Sequence, residues 1–171
     1  MKSLFDIGKT QCPEFLIWLM NQIKREDSVL DVGCGNKWYH SFLNCKSIVG
    51  IDAWDKASPD FLIDLSKKNL FFPESSFDMA LILDFIEHLE KERGKVILCQ
   101  IQVIARRIIL LTPLFWMDNL ISDRTSWYYN NPYNLHLSCW REQDFSDWRR
   151  YFLPCFNKSG EEYFLGEWRK V

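Results

Sequence analysis

Apolar residues fall along the chain in short unbroken runs, separated by stretches in which they recur every three or four positions. The runs are "SVLDVG" at 28–33, "SIVGID" at 47–52, "FLID" at 61–64, "FDMALIL" at 77–83 and "RIILLTP" at 107–113. Strands this apolar are covered on both faces, as in a parallel sheet held between helices. The helical spacing comes first in "EFLIWLMNQIKRE" behind Pro13, with Phe15, Trp18, Leu19 and Ile23 on one face, Glu14 in the first turn, and Lys24 and Arg25 at the end. It returns in "FIEHLEKERGKVILCQIQVIA", where Ile86, Leu89, Val96, Ile97, Ile101 and Ile104 predict one helix, or two short ones around Gly94. A crossover of that length joins parallel strands. After Pro113 comes a long aromatic loop; "REQDFSDWRRY" then predicts a helix, and "FLPCFNKSGEEYFLGEWRKV" an antiparallel hairpin turning at Ser159-Gly160.

These elements make an α/β protein, with one domain over 1–171: an N-terminal helix at about 12–26, a first half at 27–105 and a second at 106–171. A chain of 171 residues buries about 70% of its unfolded surface, enough for a real core. The six cysteines, Cys12, Cys34, Cys45, Cys99, Cys139 and Cys155, form no CxxC pair and several sit in apolar runs. That is the usage of a reduced, cytoplasmic protein and predicts no metal site. With 21 basic against 23 acidic residues the formal charge is -2, so no long-range field attracts polyanions and no dedicated nucleic-acid binding is expected. The basic pairs Lys67-Lys68, Arg106-Arg107 and Arg149-Arg150 are scattered. No window reaches the roughly 18 apolar residues of a membrane span, and "MKSLFDIGKTQCPEF" has no apolar leader core.

The chemistry concentrates in "SVLDVGCGNKWYH", 28–40. A strand ending in Gly33-Cys34-Gly35 and opening a helix lets backbone approach a ligand closely, with free amides at the helix start. Asp52 ends the next strand, 19 residues beyond Gly33, where a carboxylate accepts hydrogen bonds from both ribose hydroxyls. The plainer alternative is a tight turn and a strand-end carboxylate that caps the next helix. A nicotinamide or flavin loop, G-x-G-x-x-G, needs a third glycine for close packing of helix on strand, and Trp38 stands there. No G-x-x-x-x-G-K-[ST] phosphate loop is present.

With these motifs in place the sequence resembles the class I S-adenosylmethionine-dependent methyltransferases over nearly its whole length. "VLDVGCGN" is similar to that family's first motif, "VGIDAWD" to its second, and "IDLSKKNLFFPESSFDMALILDFIEHL" to the segment that flanks adenine and leads into the fourth strand. "RRIILLTP" matches its fifth strand and the hairpin its last two. The resemblance implies a single Rossmann-like domain, a seven-stranded, mostly parallel sheet of order 3-2-1-4-5-7-6 with helices on both faces, and S-adenosyl-L-methionine as cofactor. It implies that 27–105 is the cofactor half and 106–171 the acceptor side. Asp31, Gly33 and Gly35 would then face the methionine part, Asp52 the ribose, Asp64 and Leu65 the adenine, and Leu83 and Asp84 the sulfonium, with Cys34 and Ala53 also among the cofactor-binding residues. One departure stands out: Lys37 replaces the third glycine of the family's G-x-G-x-G, so its backbone must make that turn with the side chain directed away from the ligand.

Methyl transfer from a sulfonium requires orientation and exclusion of water, and a base only where the acceptor must lose a proton. "NNPYN" and the Pro-Cys of "LPCF" resemble signatures of nitrogen and cytosine methylation but stand after the wrong strands, which leaves Cys155 as a core residue. "PLFWMDNLISDRTSWYYNNPYNLHLSCW", 113–140, follows the fifth strand, where this family builds its acceptor site. Its rings suit a lid over a small-molecule acceptor or a plain cover for the sheet edge. His136 is the candidate base, an imidazole titrating near neutral pH. Asp84, with His88, is the candidate to face the methyl group, or else caps a helix. The reading is a methyltransferase acting on a small metabolite as a monomer or homodimer. Its rivals are a non-catalytic binding or regulatory protein of the same fold and an RNA or protein methyltransferase.

Overall fold

Strand β1 (Ser28–Val32) lies mid-sheet, parallel to β2 (Ser47–Asp52) on one side and to β4 (Phe77–Leu83) on the other. Beyond β2 runs β3 (Phe61–Leu62) and beyond β4 runs β5 (Ala105–Pro113), both parallel. Then β8 (Glu161–Arg169) pairs antiparallel with β5, and β6 (Arg149–Tyr151) antiparallel with β8. The order β3-β2-β1-β4-β5-β8-β6 is the anticipated 3-2-1-4-5-7-6, β8 being the seventh strand of that scheme; a two-residue β7 (Asn157–Lys158) pairs with β8 off the path. This is a computed structural model, and it describes residues 13–116, 124, 126–158 and 161–170.

The continuous apolar runs have the cause inferred for them, since alternate residues serve two cores. Leu30, Val32, Ala80, Ile82, Ile108 and Leu110 face α2 (Lys91–Ile104), which presents Ile97, Ile101 and Ile104. Val29, Met79, Leu81, Ile109 and Leu111 face α1 (Pro13–Gln22), which presents Phe15, Leu16 and Leu19. Each of the larger side chains contributes about 1.5–3 kcal/mol by leaving water. A buried polar lock ties β5, β6 and β8 together. Glu167 on β8, 3% exposed, accepts from the Tyr151 hydroxyl at 2.6 Å, from Arg169 Nε at 2.8 Å and from Arg107. Arg107 also donates to the Gln22 carbonyl at 2.6 Å and to its side-chain oxygen at 2.8 Å, which anchors the end of α1.

Several local expectations are corrected. No α-helix opens behind the glycine turn; the chain makes only a 3-10 turn at His40–Phe42. "REQDFSDWRRY" is not a helix but a 3-10 turn, Glu142–Phe145, followed by β6. Asp144 accepts from the Arg141 N–H at 2.8 Å and from Lys91 Nζ at 2.6 Å, and the Tyr151 hydroxyl binds Glu167, so tertiary partners override helical propensity. Pro154–Phe156 is likewise a 3-10 turn rather than strand. The sixth strand therefore lies upstream of the predicted hairpin, whose Ser159-Gly160 turn lies outside the described residues. The first helix ends at Gln22, short of 26, because Asp27 Oδ2 accepts the Lys24 N–H at 2.8 Å and turns the chain; Cys12 lies outside the described residues. Cys155 is disulfide-bonded, against the all-thiol reading, while Cys34, Cys45, Cys99 and Cys139 are free. Among the described residues no helix is long and apolar enough to cross a membrane.

Candidate functional site

The carboxyl ends of β1, β2, β4 and β5 form one edge, and the chemistry-bearing residues gather there. After β1 the chain places Gly33 at φ 74°, Gly35 at φ 51° and Lys37 at φ 54°. Lys37 therefore makes the turn otherwise assigned to a third glycine. Its N–H donates to the Cys34 carbonyl at 3.1 Å, and its side chain crosses Gly50 toward Asp60, with Nζ 3.7 Å from the carboxylate. A left-handed non-glycine residue costs about 1–2 kcal/mol. Lys37→Gly is expected to raise stability by about 1 kcal/mol in thermal melts. Lys37→Ala, which keeps the strain and loses only a partly exposed ion pair, should stay within about 0.5 kcal/mol of wild type.

A Cβ on Gly33 would lie 2.3 to 2.9 Å from the Phe85 side chain, so the turn requires glycine there for packing as well as for conformation. Among the described residues, a Cβ on Gly35 would meet the Tyr128 hydroxyl at 3.4 Å and Trp127, which packs edge-on to Trp54 at 4.8 Å. Trp127 and Tyr128 thus lie over the glycine turn. Cys34 is buried, and burial with the nearby Asp31 and Asp52 charges pushes its thiol far up, which leaves it inert.

Asp31 is fully buried on β1. Its Oδ2 accepts the Tyr39 hydroxyl at 2.6 Å and lies 2.6 Å from His40 Nε2, whereas Oδ1 is buried without a partner. No sequence spacing signals the His40 contact; it arises because the turn folds back on the strand. Asp52 accepts the Gly35 N–H at 3.0 Å on Oδ2 and the Trp54 N–H at 2.8 Å on Oδ1. Burial pushes its carboxyl up, against those two N–H groups. Ala53 follows it at the strand end, and the Ile63 N–H bonds the Asp52 carbonyl at 2.8 Å, which brings the start of the Asp64-Leu65 turn to the same edge. Asp64 accepts from the Ser66 N–H at 3.0 Å and pairs with Lys67 at 2.9 Å; burial works upward, but these partners hold its carboxyl below the usual range. Leu65 is buried.

Leu83 ends β4, and Asp84 follows at φ 50°, its N–H on the Leu111 carbonyl at 2.9 Å. Asp84 caps nothing: the 3-10 turn Ile86–His88 begins after Phe85, without a side-chain cap. Its Oδ1 is buried without a partner, and burial pushes its carboxyl up to about 7. Glu87, 1% exposed, accepts the Thr112 hydroxyl at 3.0 Å; burial and then the Asp84 charge raise its carboxyl well above the ordinary range. Burial lowers His88, opposed by the carbonyls of Leu135 and Asp84. His136 is brought to this edge because the Glu87 carbonyl accepts the Leu137 and Ser138 N–H groups at 2.8 and 3.1 Å. Its ring stands edge-on to His88 at 4.9 Å. Glu87, His88 and His136 each bring a ligand atom within 4.8 Å of the others, an arrangement that cysteine spacing could not reveal.

The model of a methyltransferase domain matches residues 30–106. No curated protein matches the chain in sequence. Among solved structures, a SAM dependent methyltransferase from Archaeoglobus fulgidus is 20% identical at TM-score 0.50, and the match covers 58% of this chain and 50% of that one, so the chain spans half of that relative. The Burkholderia thailandensis 1,6-didemethyltoxoflavin-N1-methyltransferase, with its substrate and S-adenosylhomocysteine bound, is 14% identical at TM-score 0.56, covering 92% and 75%. The small RNA methyltransferase HEN1 is 13% identical at TM-score 0.62, covering 99% of this chain and 26% of that one. Residues 30–106 thus match a methyltransferase domain, and the sheet order is that of the class I methyltransferase fold.

Proposed function

We propose that the protein transfers a methyl group from S-adenosyl-L-methionine to a small-molecule acceptor. The observation that carries this reading is the packing of Trp127 against Trp54 and of the Tyr128 hydroxyl near Gly35, which puts aromatic rings over the glycine turn, where they would exclude water from a compact acceptor. The residues fit the cofactor. The unpartnered Asp31 Oδ1 is an acceptor for its ammonium group, and Gly33, Cys34 and Gly35 supply close backbone. Asp52 has lone pairs left for the ribose hydroxyls beside Ala53, and Asp64 with Leu65 borders the adenine. When bound, the cofactor supplies an electrophilic methyl group; Leu83 and Asp84 stand on its acceptor side, and His136 takes a proton where the acceptor has one to lose. Holding acceptor and methyl group in line contributes about 7–11 kcal/mol to the rate. The protein works in the cytoplasm as a monomer or homodimer.

Calorimetry with S-adenosylmethionine and S-adenosylhomocysteine tests the first step, and binding of both is expected; failure of both at millimolar concentration leaves the non-catalytic reading. A metabolite extract incubated with labelled methyl donor then tests the acceptor. The HEN1 likeness favours RNA as the second reading, because it spans 99% of this chain. A balance of 21 basic against 23 acidic residues supports the small molecule, and a labelled RNA product would overturn it.

A further inference from the structure

The cluster at the end of β4 holds more ligand chemistry than orientation of a methyl acceptor requires. His88 Nδ1 lies 3.1 Å from the Leu135 carbonyl, and an imidazole that donates there carries its lone pair on Nε2. Glu87 has one carboxylate oxygen fixed by the Thr112 hydroxyl, the kind of outer partner that orients a metal-bound carboxylate. His136 comes from a segment far along the chain, yet its place is set by two N–H bonds from Leu137 and Ser138 to the Glu87 carbonyl. Asp84, one turn before, has a buried Oδ1 without a partner. The three ligand atoms lie within 4.8 Å of one another, a spacing one ion spans with small side-chain shifts.

We infer that Glu87, His88 and His136 bind one divalent transition-metal ion beside the cofactor edge, and that the acceptor fills its open positions through oxygen. Two imidazoles and one carboxylate suit manganese, iron, cobalt or zinc better than magnesium or calcium, whose preferred shells are all oxygen. Three protein ligands leave positions that an acceptor hydroxyl or carboxylate can take. This narrows the substrate class from any small molecule to one with an oxygen ligand next to the methylated atom, and so rests on the proposed function.

The test uses the full chain stripped with a chelator and titrated with Co2+ and Mn2+ alone. One ion per chain is expected, with a cobalt ligand-field band and a rise in melting temperature. His136→Ala should weaken binding at least about tenfold and abolish the melting shift. Glu87→Gln should do the same; should that buried change prevent folding, His136→Ala carries the test alone. S-adenosylhomocysteine affinity should be the same with and without chelator. Absence of stoichiometric cobalt or manganese binding, or affinity unchanged by His136→Ala, overturns the metal site while leaving the cofactor reading intact. Loss of S-adenosylhomocysteine binding in every condition overturns the proposed function instead.

Discussion

Asp52→Ala should remove most of the affinity for S-adenosylmethionine and S-adenosylhomocysteine, a loss of two orders of magnitude or more by calorimetry. A carboxylate at this strand end accepts from two ribose hydroxyls, and each hydrogen bond to a charged group contributes about 1.5–3 kcal/mol. The substitution also frees the Gly35 and Trp54 N–H groups, which Asp52 holds at 3.0 and 2.8 Å, so the glycine turn loses its tether to β2. Fold stability should survive. Burial raises the Asp52 carboxyl above its ordinary value, so its charge contributes no stability at neutral pH: a group shifted up is most favourable below its unfolded pKa and loses that contribution as pH rises. A variant that stays folded yet binds no cofactor supports the assignment. Unchanged affinity would place the cofactor elsewhere.

The half at 27–105 was legible because its signals are local. The apolar runs from β1 to β5 demand a two-faced sheet, and Gly33, Gly35 and Asp52 sit at strand ends that one stretch of sequence defines. The half at 106–171 was less legible because its structure is set by distant partners. Arg149–Tyr151 looks helical in isolation but becomes a strand once Tyr151 finds Glu167 across the sheet. Likewise, His40 shows no partner until the turn brings it to Asp31, and Glu87 reads as one more charge on a helix until β5 presents Thr112. Lys37 marks the boundary between the two cases: its departure from glycine is visible in sequence, but its left-handed backbone and its reach toward Asp60 are not.

Glu167→Ala should be the most destabilising of the substitutions considered. Glu167 is the common acceptor for Tyr151, Arg107 and Arg169, and so joins β5, β6 and β8, while Arg107 carries the connection on to Gln22 at the end of α1. Burial alone would push the Glu167 carboxyl up, but the Tyr151 hydroxyl and the Arg107 guanidinium outweigh it and hold it below the usual range. A group shifted down contributes stability above its unfolded pKa and loses it as pH falls through the folded value. Wild type should therefore lose more stability in acid than Glu167→Ala does. At neutral pH, removing one partner of a buried pair leaves the other charge uncompensated and costs about 3–5 kcal/mol. For a chain of this size that corresponds to a fall of roughly 10 °C in melting temperature. The double variant Arg107→Ala/Glu167→Ala separates a lost attraction from a stranded charge. If the stranded guanidinium dominates, removing it as well should recover part of the loss, and the two single effects will not add. A melting temperature within about 2 °C of wild type for Glu167→Ala would mean that apolar packing alone holds β5, β6 and β8 in place.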